Sequence, residues 1–568
     1  MSRKHIDAAG YLAGHLPPEE RRRAEKHLIR CVECRHRLEA LRGAEESSLG
    51  ALGHFPQRLL QGALTFFQPV LKDLSIRPEP VETKDGSLQP LRVLTPRVLG
   101  GVRGTARFIG RFGLVLLLTI TVLFLPAPPG LSAEGQHALA GFAFTAAVLA
   151  LEPVSLPIAA LMVPVALVAL GVADTHQAFE TFSRPVVFLI LASLFLAEAL
   201  RKHGLTRRLA LATIVASGGG LGALLFALMA IAAFFSMWVG STAAAAMLIP
   251  TVLTISRQVP DREAARDLLV LLGLGLAYST SLGGMSTIMG APANAVASGF
   301  LAQIGDWTFL DWMVYGLPSF LVLFPLTWLL LIKIVPVPVR RLDVEPAREQ
   351  VRQMGPMSRT ERELLLLLGA AVILWVGGPF LEKAMGLSPT LLSAAMVAVM
   401  AVSYLAIREI IDWEDLKGVS WGIFLVIGAG LSLGEALSRN GVTDWFATLI
   451  GPLVTGLPLF FTLLLLILLS GVMTNLLNNT TIAAVFVPVL IALAQESPVF
   501  EPVQLVLPVT LATTFGYSLP SASGRMALVA ATGIVDRGKM IRYGLIATLF
   551  SSVVLALFFY GISVLGWL

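Results

Sequence analysis

Two clusters of small polar residues lie in the middle of charge-free stretches, and their residue types suit them to holding an anion. The first is Ser236-Met237-Trp238-Val239-Gly240-Ser241-Thr242, followed by four alanines and ending at Pro250. The second is Thr474-Asn475-Leu476-Leu477-Asn478-Asn479-Thr480-Thr481, ending at Pro488. A helix that begins at such a break directs unpaired N–H groups and the positive end of its dipole into a cavity. Hydroxyls and amides beside it add donors, which favours a carboxylate or another oxyanion. Backbone carbonyls freed at the same break suit Na+. The plainer alternative is close packing of small side chains between membrane helices.

A second polar element follows each cluster. The first runs Ser279-Thr280-Ser281-Leu282-Gly283-Gly284-Met285-Ser286-Thr287-Ile288-Met289-Gly290-Ala291-Pro292-Ala293-Asn294, and the second runs from Thr513 through Ser523-Gly524-Arg525-Met526. That much Gly, Ser and Pro in apolar chain predicts a broken helix. Arg525 stands out, since an arginine at bilayer depth costs about 3 kcal/mol unless paired or wetted. Its twin position in the first element is Ala293. Two readings are open. The guanidinium is a fixed charge in the cavity, binding an anion in a fork or replacing a second coupling cation, or it snorkels to a nearby membrane surface.

These elements must be positioned by a membrane-embedded body. The chain is 55% hydrophobic and 14% charged, more apolar surface than a water-soluble globule of this length can hide. Residues 209–256 and 445–495 contain no Asp, Glu, Lys or Arg. Each run is about twice the ~20 residues that one span needs, so each crosses twice or dips in and out. Candidate spans and half-spans extend from 111–125 to 543–566. The body is also duplicated. Glu198-Ala199-Leu200 and Gly204-Leu205-Thr206 recur as Glu435-Ala436-Leu437 and Gly441-Val442-Thr443, an offset of 237 residues. Thr242 and Pro250 recur as Thr480 and Pro488 at an offset of 238. Arg201, Lys202, Arg207 and Arg208 flank the first copy, whereas Arg439 is set against Asp444 in the second. Lys and Arg favour the cytoplasmic side, so the copies are expected on opposite sides, as inverted repeats. Glu198 and Glu435 recur in register, each either a proton carrier or half of an ordinary interfacial ion pair.

The expected organisation is an all-α polytopic protein with re-entrant helical hairpins and broken helices. Residues 111–335 form the first repeat, 336–363 a basic cytoplasmic link and 364–568 the second repeat. Residues 1–113 hold 19 of the 42 Lys and Arg. His5, Asp7 and the run from Glu19 to Arg23 interrupt any signal-peptide core, so the N-terminus is expected in the cytoplasm. The net charge of +5 is then topology, and needs no nucleic-acid partner.

From about residue 110 to 568 the chain resembles the divalent anion:sodium symporter family. The shared features are Ser-Met-Trp before the first tip, Gly283-Gly284 before the first loop, and Trp421-Gly422-Ile423. The family's Ser-Asn-Thr triplets are altered here to Gly240-Ser241-Thr242 and Asn478-Asn479-Thr480. Its Thr-Pro-Pro-Asn-like loops are altered to Ala291-Pro292-Ala293-Asn294 and Ser523-Gly524-Arg525-Met526. The resemblance implies substrate contacts from Ser241, Thr242, Ala291, Asn478, Asn479, Thr480 and Ser523, joined here by Arg525. It implies one sodium among Ser236, Gly240, Ser241 and Gly290, and another among Thr474, Leu477, Asn479 and Ala522. It further implies a homodimer, an elevator-like motion, and di- or tricarboxylate or sulfate as the cargo. Gly240 lacks the family's hydroxyl and Ser241 its amide, which weakens the first sodium site.

Residues 1–43 read as a small helical module, and 44–110 as a cytoplasmic linker. His27, Cys31 and Cys34 fall on one helix face by their spacing of four and three, a set that suits tetrahedral Zn2+. His5, His15 and His36 are candidates for a fourth ligand, and a free dithiol is the alternative. The segment resembles the anti-sigma-factor zinc finger, in which His5 fits the remaining position, and a cytoplasmic protein partner would follow.

The expected function is therefore a secondary transporter of small divalent anions in the inner membrane, Na+-coupled. The alternatives are an exchanger or uniporter in which Arg525 replaces a coupling cation, or a membrane-tethered signalling protein. Nothing assembles into an enzyme: no nucleophile–base set or phosphate loop has a credible context.

Overall fold

The computed structural model describes residues 97–567 apart from 257, 389, 498, 499, 533 and 534. The zinc ligands expected at His5, His27, Cys31 and Cys34 lie outside the described residues, as do the 1–43 module and most of the linker.

Among the described residues the chain is helical, with a single isolated bridge between Gly220 and Arg341. The first half contains α1 (Arg97–Phe124), α2 (Ala133–Leu151), α3 (Leu156–Ala169), α4 (Thr175–Glu180), α5 (Pro185–Lys202) and α6 (Leu205–Ala216). It continues with α7 (Leu221–Val239), α8 (Ser241–Ser256), α9 (Arg262–Met285), α10 (Pro292–Ile304) and α11 (Phe309–Ile334). After α12 (Glu345–Gln353) come α13 (Arg359–Met385), α14 (Ala394–Ile407), α15 (Trp413–Lys417), α16 (Gly422–Arg439) and α17 (Val442–Thr455). The chain closes with α18 (Leu459–Met473), α19 (Asn479–Glu496), α20 (Pro502–Ala512), α21 (Gly524–Ala531) and α22 (Arg537–Val564).

Six of these helices are long and apolar enough to cross a bilayer, and a seventh if α4 with its short extension and α5, bent by 45°, count as one span. Several other expected spans are shorter helices, because polar breaks cut them. The span expected at 502–520 stops at Ala512, and even the long α9, expected to reach 289, stops at Met285. α1 starts at Arg97, inside the segment expected to be linker.

The element order from α5 to α11 is matched by that from α16 to α22. Both halves place two consecutive helices along one broken helix, α7 and α8 along α9, and α18 and α19 along α20. Between halves the packing is reciprocal. α10 packs on α19 while α21 packs on α8, and α5 packs on α14 while α16 packs on α3.

Local chemistry explains where helices begin. Thr308 and Asp311 form a reciprocal capping box at the start of α11, and Ser358 and Glu361 form another at α13. The link between halves is strapped down by Arg208, which pairs with the nearly buried Glu361 at 2.7 Å and donates to the carbonyls of Gly355 and Met354. The lost carboxylate solvation of Glu361 is thereby compensated.

Candidate functional site

The first tip is Gly240, at φ 85° and ψ 146°. That region is open essentially to glycine alone, so the backbone gives a reason for the missing hydroxyl at this position. The twin residue Asn478 has an ordinary extended backbone, and its Oδ1 accepts from Thr480 N at 2.9 Å to cap α19. The two tips are therefore built differently.

Around the first tip three stretches of backbone converge. Ser236 is buried, and its hydroxyl donates to the Thr280 carbonyl at 2.5 Å. The Thr287 hydroxyl donates to the Met237 carbonyl and accepts from Gly290 N. Asn294 Nδ2 donates to the carbonyls of Gly284 (2.8 Å) and Thr287 (2.7 Å), tying α10 to the end of α9. Gly284 and Gly290 approach so closely that a Cβ on Gly290 would lie 2.3 Å from the Gly284 carbonyl oxygen. Ser236 and Gly290 are thus brought together through Gly284, and Gly240 and Ser241 close the turn above them.

The second half repeats the plan with other residues. The Thr474 hydroxyl lies 2.7 Å from the Thr513 carbonyl and 2.5 Å from Asn479 Oδ1. It has one proton to give, so turning the Asn479 amide over satisfies both contacts. A Cβ on Gly516 would touch both Ala522 and the Thr474 carbonyl, which brings Thr474, Asn479 and Ala522 into one cluster. Leu477 lies in the turn between α18 and α19. Asn475 also contributes, donating to the Gly471 carbonyl and accepting from Ser518 N. Its position inside the second polar cluster was the available signal, but the motif directs attention to Asn478 and Asn479.

Where the first half uses Asn294 to hold its broken helix, the second half has Met526, and Arg525 takes over. Its Nη2 donates to the Thr514 carbonyl at 2.8 Å, and its Nη1 donates to Ser241 Oγ at 3.2 Å. Arg525 is only 3% exposed, so the snorkelling reading is incorrect: the side chain runs inward between the halves. Nε has no hydrogen-bond partner, and among the described residues no carboxylate pairs with this guanidinium. Gly524 sits against Thr242, since a Cβ there would lie 2.7 Å from Thr242 Cγ2. Ser523 caps α21 through Met526 N. Of the expected substrate residues, Ser241, Thr242, Ser523 and Arg525 therefore share one locus. Ala291 precedes α10 and Asn478 to Thr480 open α19, two helices that pack on each other, and no hydrogen bond joins them to that locus among the described residues. The guanidinium also contacts the first tip, rather than standing only in the second cation cluster.

Arg525 and the start of α8 place positive charge at the same point. The first N–H groups of α8 lack intrahelical partners and carry the positive end of its dipole. A buried cation beside them without a counter-charge is unfavourable, and an anion between them is stabilised by both. Among the described residues no three His, Cys, Asp or Glu gather as metal ligands. A cation near these tips would be held by neutral hydroxyl and carbonyl oxygens, a donor set suited to Na+.

The paired glutamates behave as ion-pair residues. Glu435 pairs with Arg184 at 2.6 Å and with Arg439, and Glu198 pairs with Arg201. Arg439 thus engages Glu435 and Glu180 rather than Asp444.

Comparison with known proteins gives a consistent set of matches. The profile of the sodium:sulfate symporter transmembrane region matches residues 106–568. An uncharacterized transporter of Haemophilus influenzae is 31% identical over 456 residues, covering 78% of this chain and 95% of that protein. The sodium-dependent dicarboxylate transporter SdcS of Staphylococcus saprophyticus is 28% identical over 477 residues, covering 79% and 90%. The crystal structure of the YdaH transporter of Alcanivorax borkumensis aligns with 82% of this chain and 99% of its own at 14% identity, with a TM-score of 0.48.

Proposed function

The chain belongs to the sodium:sulfate symporter family of multi-pass membrane transporters, and from that premise we propose that it carries small divalent oxyanions, di- or tricarboxylates or sulfate, across the bacterial inner membrane. The observation that carries this reading is the convergence of the unpaired Arg525 guanidinium with the N-terminus of α8 at Ser241. The SdcS relatives support dicarboxylate as the first cargo to try and Na+ as the coupling ion.

In this reading Ser241, Thr242, Ala291, Asn478, Asn479, Thr480, Ser523 and Arg525 line the anion site. Ser236, Gly240, Ser241 and Gly290 hold one sodium, and Thr474, Leu477, Asn479 and Ala522 hold the other. The repeats are inverted, which the reciprocal packing and the unequal flanking charge support. The protein works as a homodimer with an elevator-type movement and a cytoplasmic N-terminus, where residues 1–43 form a zinc-binding module for a protein partner.

Arg525 also supports a second reading. Its Nη1 donates to the hydroxyl oxygen of Ser241, a member of the first sodium set. A second unit charge roughly 5 Å from a sodium costs about 3 kcal/mol at an effective dielectric of about 20. The guanidinium then acts as a resident cation, fewer sodium ions couple to each anion, and exchange or uniport is favoured.

Uptake of labelled succinate, citrate and sulfate into proteoliposomes, with and without a Na+ gradient, tests both. Accumulation of one anion driven by inward Na+ supports symport. Uptake only against preloaded anion supports exchange. No movement of any of the three would reject the anion-transporter reading.

A further inference from the structure

A cavity of about 750 Å3 opens between α10–α11 on one side and α5, α13 and α14 on the other, and reaches down to Ile288 in the loop after α9. Its depth is apolar, with Leu189, Ile288 and Trp375 among the walls. Its rim is formed by the start of α5, the end of α10, the start of α11, the end of α13 and the start of α14. The basic link joins the opposite ends of α11 and α13, so the rim faces away from it.

Four polar groups in this cavity lack the partners their chemistry calls for. The Ser298 hydroxyl, on a residue 4% exposed, has no hydrogen-bond partner, and neither has Trp307 Nε1. Both atoms are buried, and both residues line the cavity. Ser298 lies six residues before the end of α10, roughly 9 Å below the rim at 1.5 Å per residue. At the rim, among the described residues, Asp306 has no cation partner, and the Glu382 carboxylate accepts from Leu392 N with no cation beside it. Arg184, the one cation of the lining, is already committed to Glu435 and the Gly299 carbonyl. The cavity therefore offers apolar depth, an unpaired hydroxyl below the rim, an unpaired indole N–H in the loop between α10 and α11, and uncompensated negative charge at the mouth.

We propose that this cavity binds one zwitterionic aminophospholipid from the bilayer. An acyl chain fills the apolar depth, ester or phosphate oxygens accept from Ser298 and Trp307, and the ammonium group sits between Asp306 and Glu382. A purely anionic lipid would bring its charge against both carboxylates, and a free fatty acid would leave them uncompensated. Resting on the transport reading above, the lipid spans the seam along which α10 and α11 would move, so its occupancy would set the turnover rate.

The test is lipid retention on the purified full-length protein, measured by native mass spectrometry after exchange among phosphatidylethanolamine, phosphatidylcholine and phosphatidylglycerol. One tightly held phosphatidylethanolamine is expected. Ser298→Ala should weaken it about fivefold, the effect of one lost hydrogen bond, and Asp306→Asn should do so by removing the ammonium's partner. Asp306 is exposed, so its variant does not threaten folding. Equal retention of phosphatidylcholine and phosphatidylethanolamine, or retention unchanged in both variants, would overturn the proposal and leave annular lipid only. Because binding is read without transport, a failure of the transport reading would be seen separately, in the uptake assay.

Discussion

Arg525 Nη1 lies 3.2 Å from the hydroxyl oxygen of Ser241, and this contact joins the loop of the second half to the tip of the first. It also places a buried charge at a helix N-terminus that already carries positive potential. Such a charge costs about 3 kcal/mol at bilayer depth unless it is paired or wetted, and an anion in the site would offset that cost.

Replacing Arg525 with Ala should weaken anion binding by about 2 kcal/mol, roughly thirtyfold in apparent Kd, the range for a hydrogen bond to a charged group. Arg525→Lys keeps the charge but cannot reach Ser241 and Thr514 in one fork, so it should fall between. Substrate-induced shifts of the thermal unfolding midpoint, across a concentration series, measure the difference. Wild-type affinity in the alanine variant would show that the guanidinium is only a tether.

Asn294 is the first half's tether. Removing its amide leaves the Gly284 and Thr287 carbonyls unpaired in a buried site. Asn294→Ala should cost about 2–4 kcal/mol, and Asn294→Asp more, since a carboxylate would face two carbonyl oxygens. The readout is unfolding temperature in detergent, where both variants should melt well below wild type.

How far the sequence revealed this arrangement depends on the kind of signal. The charge-free runs, the recurring Glu-Ala-Leu segments and the Gly-rich breaks located the tips and loops, because bilayer insertion and backbone breaks leave strong compositional traces. The snorkelling alternative for Arg525 survived at that level because sequence does not show direction, and only the packing of α21 on α8 turns the side chain inward. Nor did motif spacing show that Thr287 and Asn475 knit the backbones together, since their partners are carbonyls on other helices and carbonyls have no sequence signature. The ion pair of Glu435 with Arg184 likewise depends on the start of α5 meeting α16, whereas its pair with Arg439 is local, four residues apart on α16.

The approach of Gly284 to Gly290 gives a third expectation. Gly290→Ala puts a methyl 2.3 Å from a carbonyl oxygen that cannot swing away, so overpacking should cost 1–3 kcal/mol or more. Gly369→Ala, on α13 with nothing within 4 Å of a built Cβ, should be neutral or slightly stabilising through helix propensity. Paired thermal melts distinguish the two, and equal behaviour would mean that the broken helix is looser than its geometry implies.

The unequal tips offer the last expectation. Gly240 at φ 85° strains any side chain through its backbone, although a Cβ there would meet nothing within 4 Å, whereas Asn478 has an extended backbone and caps α19 through its side chain. Restoring the family's serine should therefore have opposite consequences in the two halves. Gly240→Ser should cost about 1–3 kcal/mol of backbone strain, despite adding a hydroxyl next to the first cation set. Asn478→Ser keeps a good N-cap and should leave stability within a few tenths of a kcal/mol. The same pair also reports on coupling. If the missing hydroxyl at Gly240 is what weakens the first sodium site, the fraction of Gly240→Ser that folds should show a steeper Na+ dependence of uptake than wild type. If Arg525 excludes that sodium instead, the steepness should stay unchanged in Gly240→Ser and rise only when Arg525 is replaced as well.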